Sequence, residues 1–215
     1  ELGEDSLRRG EVLSMEKSFD GFKVTGYYNT DYIIENIGLV KKLQPEVTDI
    51  AFCFGSRYHH TLFKNYLSET ISDDEDIRIH FWLGNQLSTV ALVDSILKID
   101  ENFAVISAGW FTDINHYPHA YSMLHNRLSL YPEKNLYEIL DQDFSNPNYL
   151  GGYFVSGVEM GKDLANLTYM VLKQGIEHSP GFSATPSKPK YHLNYSVFKN
   201  AGLDENLVPD EVVWH

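Results

Sequence analysis

The nine histidines and thirty acidic residues of this 215-residue chain form few arrangements that could do chemistry. His59-His60 and His116-x-x-His119 come nearest to a metal pair. Neither has a cysteine or carboxylate at a zinc-ligand spacing, and no His-x-x-x-His occurs, so both read as loop histidines. Gly55-Ser56 follows an apolar run, but no Gly-x-Ser-x-Gly elbow surrounds it. The stretch from Gly157 to Gly161-Lys162-Asp163 is one residue short of a phosphate loop, and Asp163 stands where a magnesium-binding hydroxyl belongs. No Gly-x-Gly-x-x-Gly follows a strand. The run Asp73-Asp74-Glu75-Asp76 lacks the glycine and closing glutamate of an EF-hand and reads as a solvated loop. Asn166-Leu167-Thr168 matches a glycosylation triplet by chance, in the middle of a helical pattern. No catalytic residue, metal or cofactor is expected.

The residue types that do converge are those of a binding site. Beyond the apolar runs that read as strands come Ser56, Arg57 and Tyr58, then Gly84, Asn85 and Gln86, then Trp110, Phe111, Thr112 and Asp113, then residues 141–149 with Asp141 and Tyr149. In an open α/β sheet, ligands bind in the crevice beyond the carboxyl ends of the strands. Hydroxyls, amides, a guanidinium, carboxylates and large rings suit a small polar molecule, whose faces stack and whose orientation is fixed by hydrogen bonds. The competing reading is that several of these residues cap helices.

Strands must place these residues, and the sequence supplies them. Residues 22–28, 47–54, 77–83, 103–108, 135–140 and 152–156 are rich in Val, Ile, Phe and Tyr. Several are apolar at consecutive positions, as in a parallel sheet covered on both faces. Between them lie amphipathic segments. Residues 31–43 carry Ile33, Ile34, Ile37, Val40 and Leu43. Residues 88–99 carry Val90, Val93 and Leu97, and residues 159–173 carry Met160, Leu164, Leu167 and Val171. Asn29, Thr30 or Asp31 and Ser88 or Thr89 offer N-caps, and Gly175 a stop. The alternation predicts an α/β fold: a doubly wound, mostly parallel sheet with helices on both faces and right-handed crossovers. Residues 175–190, with three prolines, read as an extended loop. A short extended piece at 191–195, a short helix near 196–201 and a last extended piece at 211–214 follow.

Composition bounds the partners. The net charge is −13, which excludes a nucleic-acid partner because phosphate contacts need a basic face. It also disfavours adsorption to an anionic bilayer. The single cysteine, Cys53, lies in an apolar run and reads as a core residue. No run approaches a membrane span. Residues 1–5 do not read as a natural start, so the chain is expected to be a piece of something longer.

Three segments together resemble a known family. Residues 150–165 (Leu-Gly-Gly-Tyr-Phe-Val-Ser-Gly-Val-Glu-Met-Gly-Lys-Asp-Leu-Ala) resemble a Gly-Gly-strand-Ser-x-x-x-x-Gly-x-x-x-Ala pattern. Residues 191–209, from Tyr191-His192-Leu193-Asn194-Tyr195 through Ala201-Gly202-Leu203 to Leu207-Val208-Pro209, resemble a closing signature. Val24-Thr25-Gly26, Glu35-Asn36-Ile37 and Leu43-Gln44-Pro45 are similar to the segment that leads into a second lobe. The family is the ABC-transporter-substrate-binding-like sensor domains, of the type 1 periplasmic-binding-protein fold, fused to bacterial histidine kinases. Val208 and the length of the 141–150 loop depart from its pattern.

The resemblance implies a two-lobed ligand-binding domain of which this chain holds mainly the second lobe. Residues 1–20 would be a remnant of the preceding lobe or a linker, 21–190 the ligand-binding lobe and 191–215 the segment returning to the hinge. It implies a periplasmic, extracytoplasmic portion of an inner-membrane receptor of a two-component system. Its partners would be a small polar molecule, the missing first lobe, and the kinase and membrane segments of the parent chain. Exposed hinge strands are able to pair between chains into a homodimer. Two alternatives stand beside this: a solute-binding component of an ABC importer, and an α/β hydrolase-like enzyme using Asp113, Asp141 and a histidine such as His116.

Overall fold

The computed structural model describes residues 23–28, 32–55, 64, 67, 77–117, 120–141 and 146–215. The chain divides into two compact units. The larger comprises residues 31–154 and 190–215, the smaller residues 1–30 and 155–189. The chain passes between the units three times, after residues 30, 154 and 189.

The larger unit is built on a seven-stranded sheet. Its strands are β2 (Asp49–Phe54), β3 (Arg78–Leu83), β4 (Phe103–Ser107), β5 (Leu136–Glu138), β6 (Tyr149–Phe154), β8 (Lys190–Leu193) and β9 (Val213–Trp214). Their order is β3-β2-β4-β5-β6-β8-β9. The first five run parallel, while β8 joins β6 antiparallel and β9 follows β8. β2 has two neighbours and no exposed residue, which is why Ile50-Ala51-Phe52-Cys53-Phe54 is apolar throughout rather than alternating. Its side chains nevertheless go to opposite faces. Ile50, Phe52 and Phe54 share a core with helix α1 (Ile33–Leu43) and helix α5 (Tyr195–Asn200). Cys53 joins Val105 and Leu136 in a second core under helix α2 (Thr89–Lys98) and helix α3 (Ala120–Leu128). Two buried clusters on opposite faces of one mostly parallel sheet make the fold α/β and doubly wound, as the alternation of the sequence predicts.

Local chemistry sets the helix ends. Ser88 caps α2, its Oγ accepting from the Ala91 amide at 3.2 Å. At α1 the cap position is Tyr32, with φ 44 and no side-chain cap; Asn29, Thr30 and Asp31 lie outside the described residues. Asn36 of α1 binds the backbone of β6: its Nδ2 donates to the Tyr153 carbonyl at 2.9 Å and its Oδ1 accepts from the Tyr153 amide at 2.8 Å. A Cβ on Gly152 would run into the Glu138 carbonyl and stand 2.9 Å from Asn36 Oδ1, so that position has to be glycine for α1 and β5 to close on β6.

The smaller unit holds β1 (Gly26–Tyr28) paired in parallel with β7 (Phe182–Ala184), and helix α4 (Gly157–Gln174). β7 lies inside the stretch predicted as extended loop. Ser156 caps α4 by accepting from the Glu159 amide at 3.2 Å, so that the helix begins at Gly157, two residues earlier than predicted, and Gly175 ends it with φ 91. Of the predicted stripe only Leu167 is buried, and Leu164 is 53% exposed. Among the described residues this unit offers α4 no more than a two-stranded sheet.

Candidate functional site

The carboxyl ends of β2, β3 and β4 end in glycines that let one loop lie across them. Gly55 follows β2, and its amide donates to the Gly109 carbonyl at 2.8 Å. Gly84 follows β3, and its amide donates to the Phe54 carbonyl at 2.8 Å. A Cβ on Gly55 would stand 3.1 Å from the Phe111 amide nitrogen, and one on Gly84 would collide with the Thr112 carbonyl. Loop 109–113 is thus laid on bare backbone at the strand ends, a close approach only glycine permits. Gly109 turns the chain with φ 97, and the Phe111 ring folds back over it.

This edge sorts the predicted site residues into three groups. Asn85 and Gln86 are exposed beyond β3, Thr112 is half-buried in loop 109–113, and Asp141 is exposed after β5. Trp110, Asp113 and Tyr149 are instead buried. Asp113 Oδ2 accepts from the Thr89 amide at 2.8 Å and from its hydroxyl at 2.9 Å, while Oδ1 accepts from the Asn115 amide at 2.9 Å. Trp110 Nε1 donates to Thr89 Oγ1 at 3.0 Å. The Tyr149 hydroxyl donates to the Leu140 carbonyl at 2.9 Å. Asp113 and Trp110 tie the loop to the first turn of α2, where unpaired amides and the helix dipole favour an anion, while Tyr149, the first residue of β6, ties that strand to the segment after β5. Ser56, Arg57 and Tyr58 lie outside the described residues.

Charge follows the same division. Burial raises the Asp113 carboxyl, but the hydrogen bonds from Thr89, Asn115 and Tyr117 more than offset it and hold it below the usual carboxylate range. Asp113 is therefore an anion with its oxygens engaged, which removes it from the hydrolase reading that paired it with Asp141 and His116. No group of three His, Cys, Asp or Glu side chains able to hold a metal occurs among the described residues. No helix among them is long and apolar enough to cross a membrane.

Two features escaped the sequence. The first is a set of tyrosines beside the chain crossings of the larger unit. Tyr32 is the second residue after the first crossing, Tyr153 the second before the next, and Tyr191 the second after the last. Their rings meet, Tyr32 to Tyr153 at 5.4 Å edge to face and Tyr153 to Tyr191 at 4.6 Å. The signal for Tyr153 and Tyr191 lay in their family-like segments, but the register that pairs them across β6 and β8 did not. The second is a buried carboxyl, Glu138 of β5, 3.5 Å from His125 of α3. Nothing local in the sequence marks that pair.

The comparisons with known proteins fit this architecture. A domain from Streptococcus pneumonia, described as an ABC domain in complex with L-Trp, superposes with a TM-score of 0.59 at 15% identity, over 89% of this chain and 64% of that one. A ligand-free, open substrate binding protein with adhesive properties from Clostridium difficile gives 0.56 at 13% identity, over 89% and 62%. A conserved domain protein from Vibrio cholerae gives 0.63 at 11% identity, over 89% and 62%. No protein-family model and no curated protein matches the sequence. At these identities the likeness is one of fold, and the fold is that of substrate-binding proteins. The chain spans 62–64% of the length of these structures.

Proposed function

We propose that this chain is the ligand-sensing part of an extracytoplasmic receptor, the sensor of a two-component histidine kinase. The observation that carries the ligand-binding part is the carboxyl edge of the larger sheet. There two glycines seat loop 109–113, Asn85, Gln86 and Asp141 are exposed, and Thr112 is half-buried. Amides, a hydroxyl and a carboxylate on rigid strand ends suit a small polar molecule. The receptor part rests on the segments at 150–165 and 191–209, whose likeness is to sensor domains fused to kinases. Signalling in such a receptor needs only that ligand prefer one domain arrangement over the other. The kinase, the membrane segments and the remainder of the ligand-binding domain would belong to the parent chain.

A second reading is favoured by the neighbours themselves: one is described as an ABC domain holding L-Trp and another as a substrate binding protein. On that reading this chain serves an importer and has no output domain.

The test is a thermal-shift screen of the full-length parent protein against amino acids with L-Trp first, then sugars, nucleosides and small organic acids. A ligand at 100 times its Kd should add about 2.7 kcal/mol of stability. Binding that alters autophosphorylation of a linked kinase supports the sensor. Binding to a parent without an output domain supports the importer. Silence across the panel from a folded protein sinks small-molecule sensing.

A further inference from the structure

Glu138 lies in β5, fourth of the seven strands in sheet order, at 0% exposure. Among the described residues no hydrogen bond of good geometry reaches either of its oxygens. A buried acid without firm partners is an expensive feature, and such features persist where the surroundings hold them for a use. The groups that face it come from three elements: Cys53 of β2, Ser107 of β4 and His125 of α3. His125 is itself 6% exposed, with Nε2 3.5 Å from Glu138 Oε1.

From this pair a line of packed rings runs to the binding edge. The His125 ring lies 4.2 Å from that of Tyr121, one turn earlier on α3. Tyr121 stacks on Phe111 at 6.0 Å with 25° between planes. Phe111 belongs to loop 109–113, and its ring covers Gly109 at the turn that starts the loop. We infer that Glu138 and His125 are positioning residues for the binding edge: the pair fixes how α3 presents Tyr121, and Tyr121 fixes Phe111 and with it loop 109–113. The inference rests on reading that edge as the ligand surface.

The chemistry gives the device a pH dependence. Burial holds the Glu138 carboxyl well above the ordinary carboxylate range, Ser107 offsetting part of it. Cys53 stays a thiol, pushed up to about 12 by burial and by the neighbouring Glu138. A proton taken up from solvent by the pair, or lost from it, leaves a charge uncompensated between β5 and α3, and the contact between them loosens.

The measurement is backbone hydrogen exchange of loop 109–113, helix α3 and strands β4 and β5, corrected for intrinsic rate, in the full-length protein between about pH 5 and about pH 8. Wild type should lose protection in loop 109–113 as pH rises through that range, because the buried Glu138 carboxyl resists ionising in the folded chain. Glu138→Gln and His125→Gln should each flatten that profile, and Tyr121→Leu should uncouple the loop while α3 keeps responding. The inference is overturned if Glu138→Gln and His125→Gln fold and the loop keeps the wild-type profile. It is also overturned if sheet and loop loosen equally in both, the mark of a merely structural pair. Should Glu138→Gln not fold, His125→Gln decides alone. The readout needs no ligand, so failure to bind any ligand sinks the reading of the edge without touching this test.

Discussion

Asp113 binds Thr89 twice through one oxygen, Oδ2 accepting from the amide at 2.8 Å and from the hydroxyl at 2.9 Å. The contact fastens the loop beyond β4 to the first residue of α2, 24 positions earlier in the chain. Replacing Asp113 with Ala should therefore cost about 2 kcal/mol, the range for buried hydrogen bonds to a charged group. Asp113→Asn should recover only part, since its single carbonyl oxygen can accept from Thr89 or from the Asn115 amide but not from both. Because the folded carboxyl titrates below its ordinary value of 3.8, its contribution is present above that value and is lost as pH falls through the lower folded one. Urea unfolding of wild type and Asp113→Ala at neutral and acid pH should show the two curves converging in acid.

Gly84 is where loop 109–113 comes closest to the sheet. A methyl group there meets the Thr112 carbonyl and stands 3.0 Å from Gly55. Gly84→Ala should destabilise the chain by roughly 1–3 kcal/mol, the usual cost of overpacking. It should also weaken any ligand found for the edge. A melting temperature equal to that of wild type would show that the loop does not lie on the strand ends.

Cys53 is fully buried, and its thiol is pushed up to about 12 by burial first and Glu138 second. The thiolate is the reactive form, so the native protein should not react with an aromatic disulfide reagent at neutral pH. Reaction should follow the unfolding transition in denaturant. Rapid labelling of the folded chain would refute the placement of β2 between β3 and β4 with both faces covered.

Asp49 opens β2 and receives hydrogen bonds from Arg78 at 2.6 Å, His80 at 2.7 Å and Thr48 at 2.9 Å. Burial raises its carboxyl, and the partners His80, Arg78 and Thr48 outweigh that, bringing it from 3.8 to about 2. A depressed acid stabilises above its unfolded pKa, and the benefit fades as pH drops from 3.8 toward about 2. Arg78 is 76% exposed and His80 41%, so solvent screens the contribution to about 1 kcal/mol or less. Asp49→Asn should lower the neutral plateau by that amount at most and flatten the acid limb in that window, the two curves meeting in acid.

Asp163 of α4 takes the Thr185 hydroxyl at 2.6 Å and the Ser187 amide at 3.0 Å, holding the segment after β7. Asp163→Ala should raise backbone exchange and protease cleavage over residues 185–189 and leave β2 to β5 unaffected. Equal loosening in both regions would contradict the division of the chain into two units.

The sequence alone determined whatever depends on neighbours along the chain. The apolar runs at 47–54, 77–83 and 103–108 became strands within two residues of their predicted bounds, because consecutive Val, Ile and Phe have no stable alternative to a covered sheet. Ser88 and Gly175 end helices as predicted, since capping is a contact made within one turn. Helix α3 was missed: Ala120-Tyr121-Ser122-Met123-Leu124-His125 has no strong apolar period. The C-terminal strand order was beyond reach as well, because the antiparallel return of β8 onto β6 depends on partners about 40 residues apart. Tertiary structure decided which of the candidate polar residues are buried and which stay exposed. Trp110 and Asp113 stand beside Thr112 in the chain and look equally suited to binding. Only the position of Thr89, brought near by the packing of α2, turns them inward and leaves Thr112 at the edge. Periodicity and caps are written in adjacent residues, whereas the direction of a loop side chain is set by whichever distant group satisfies it.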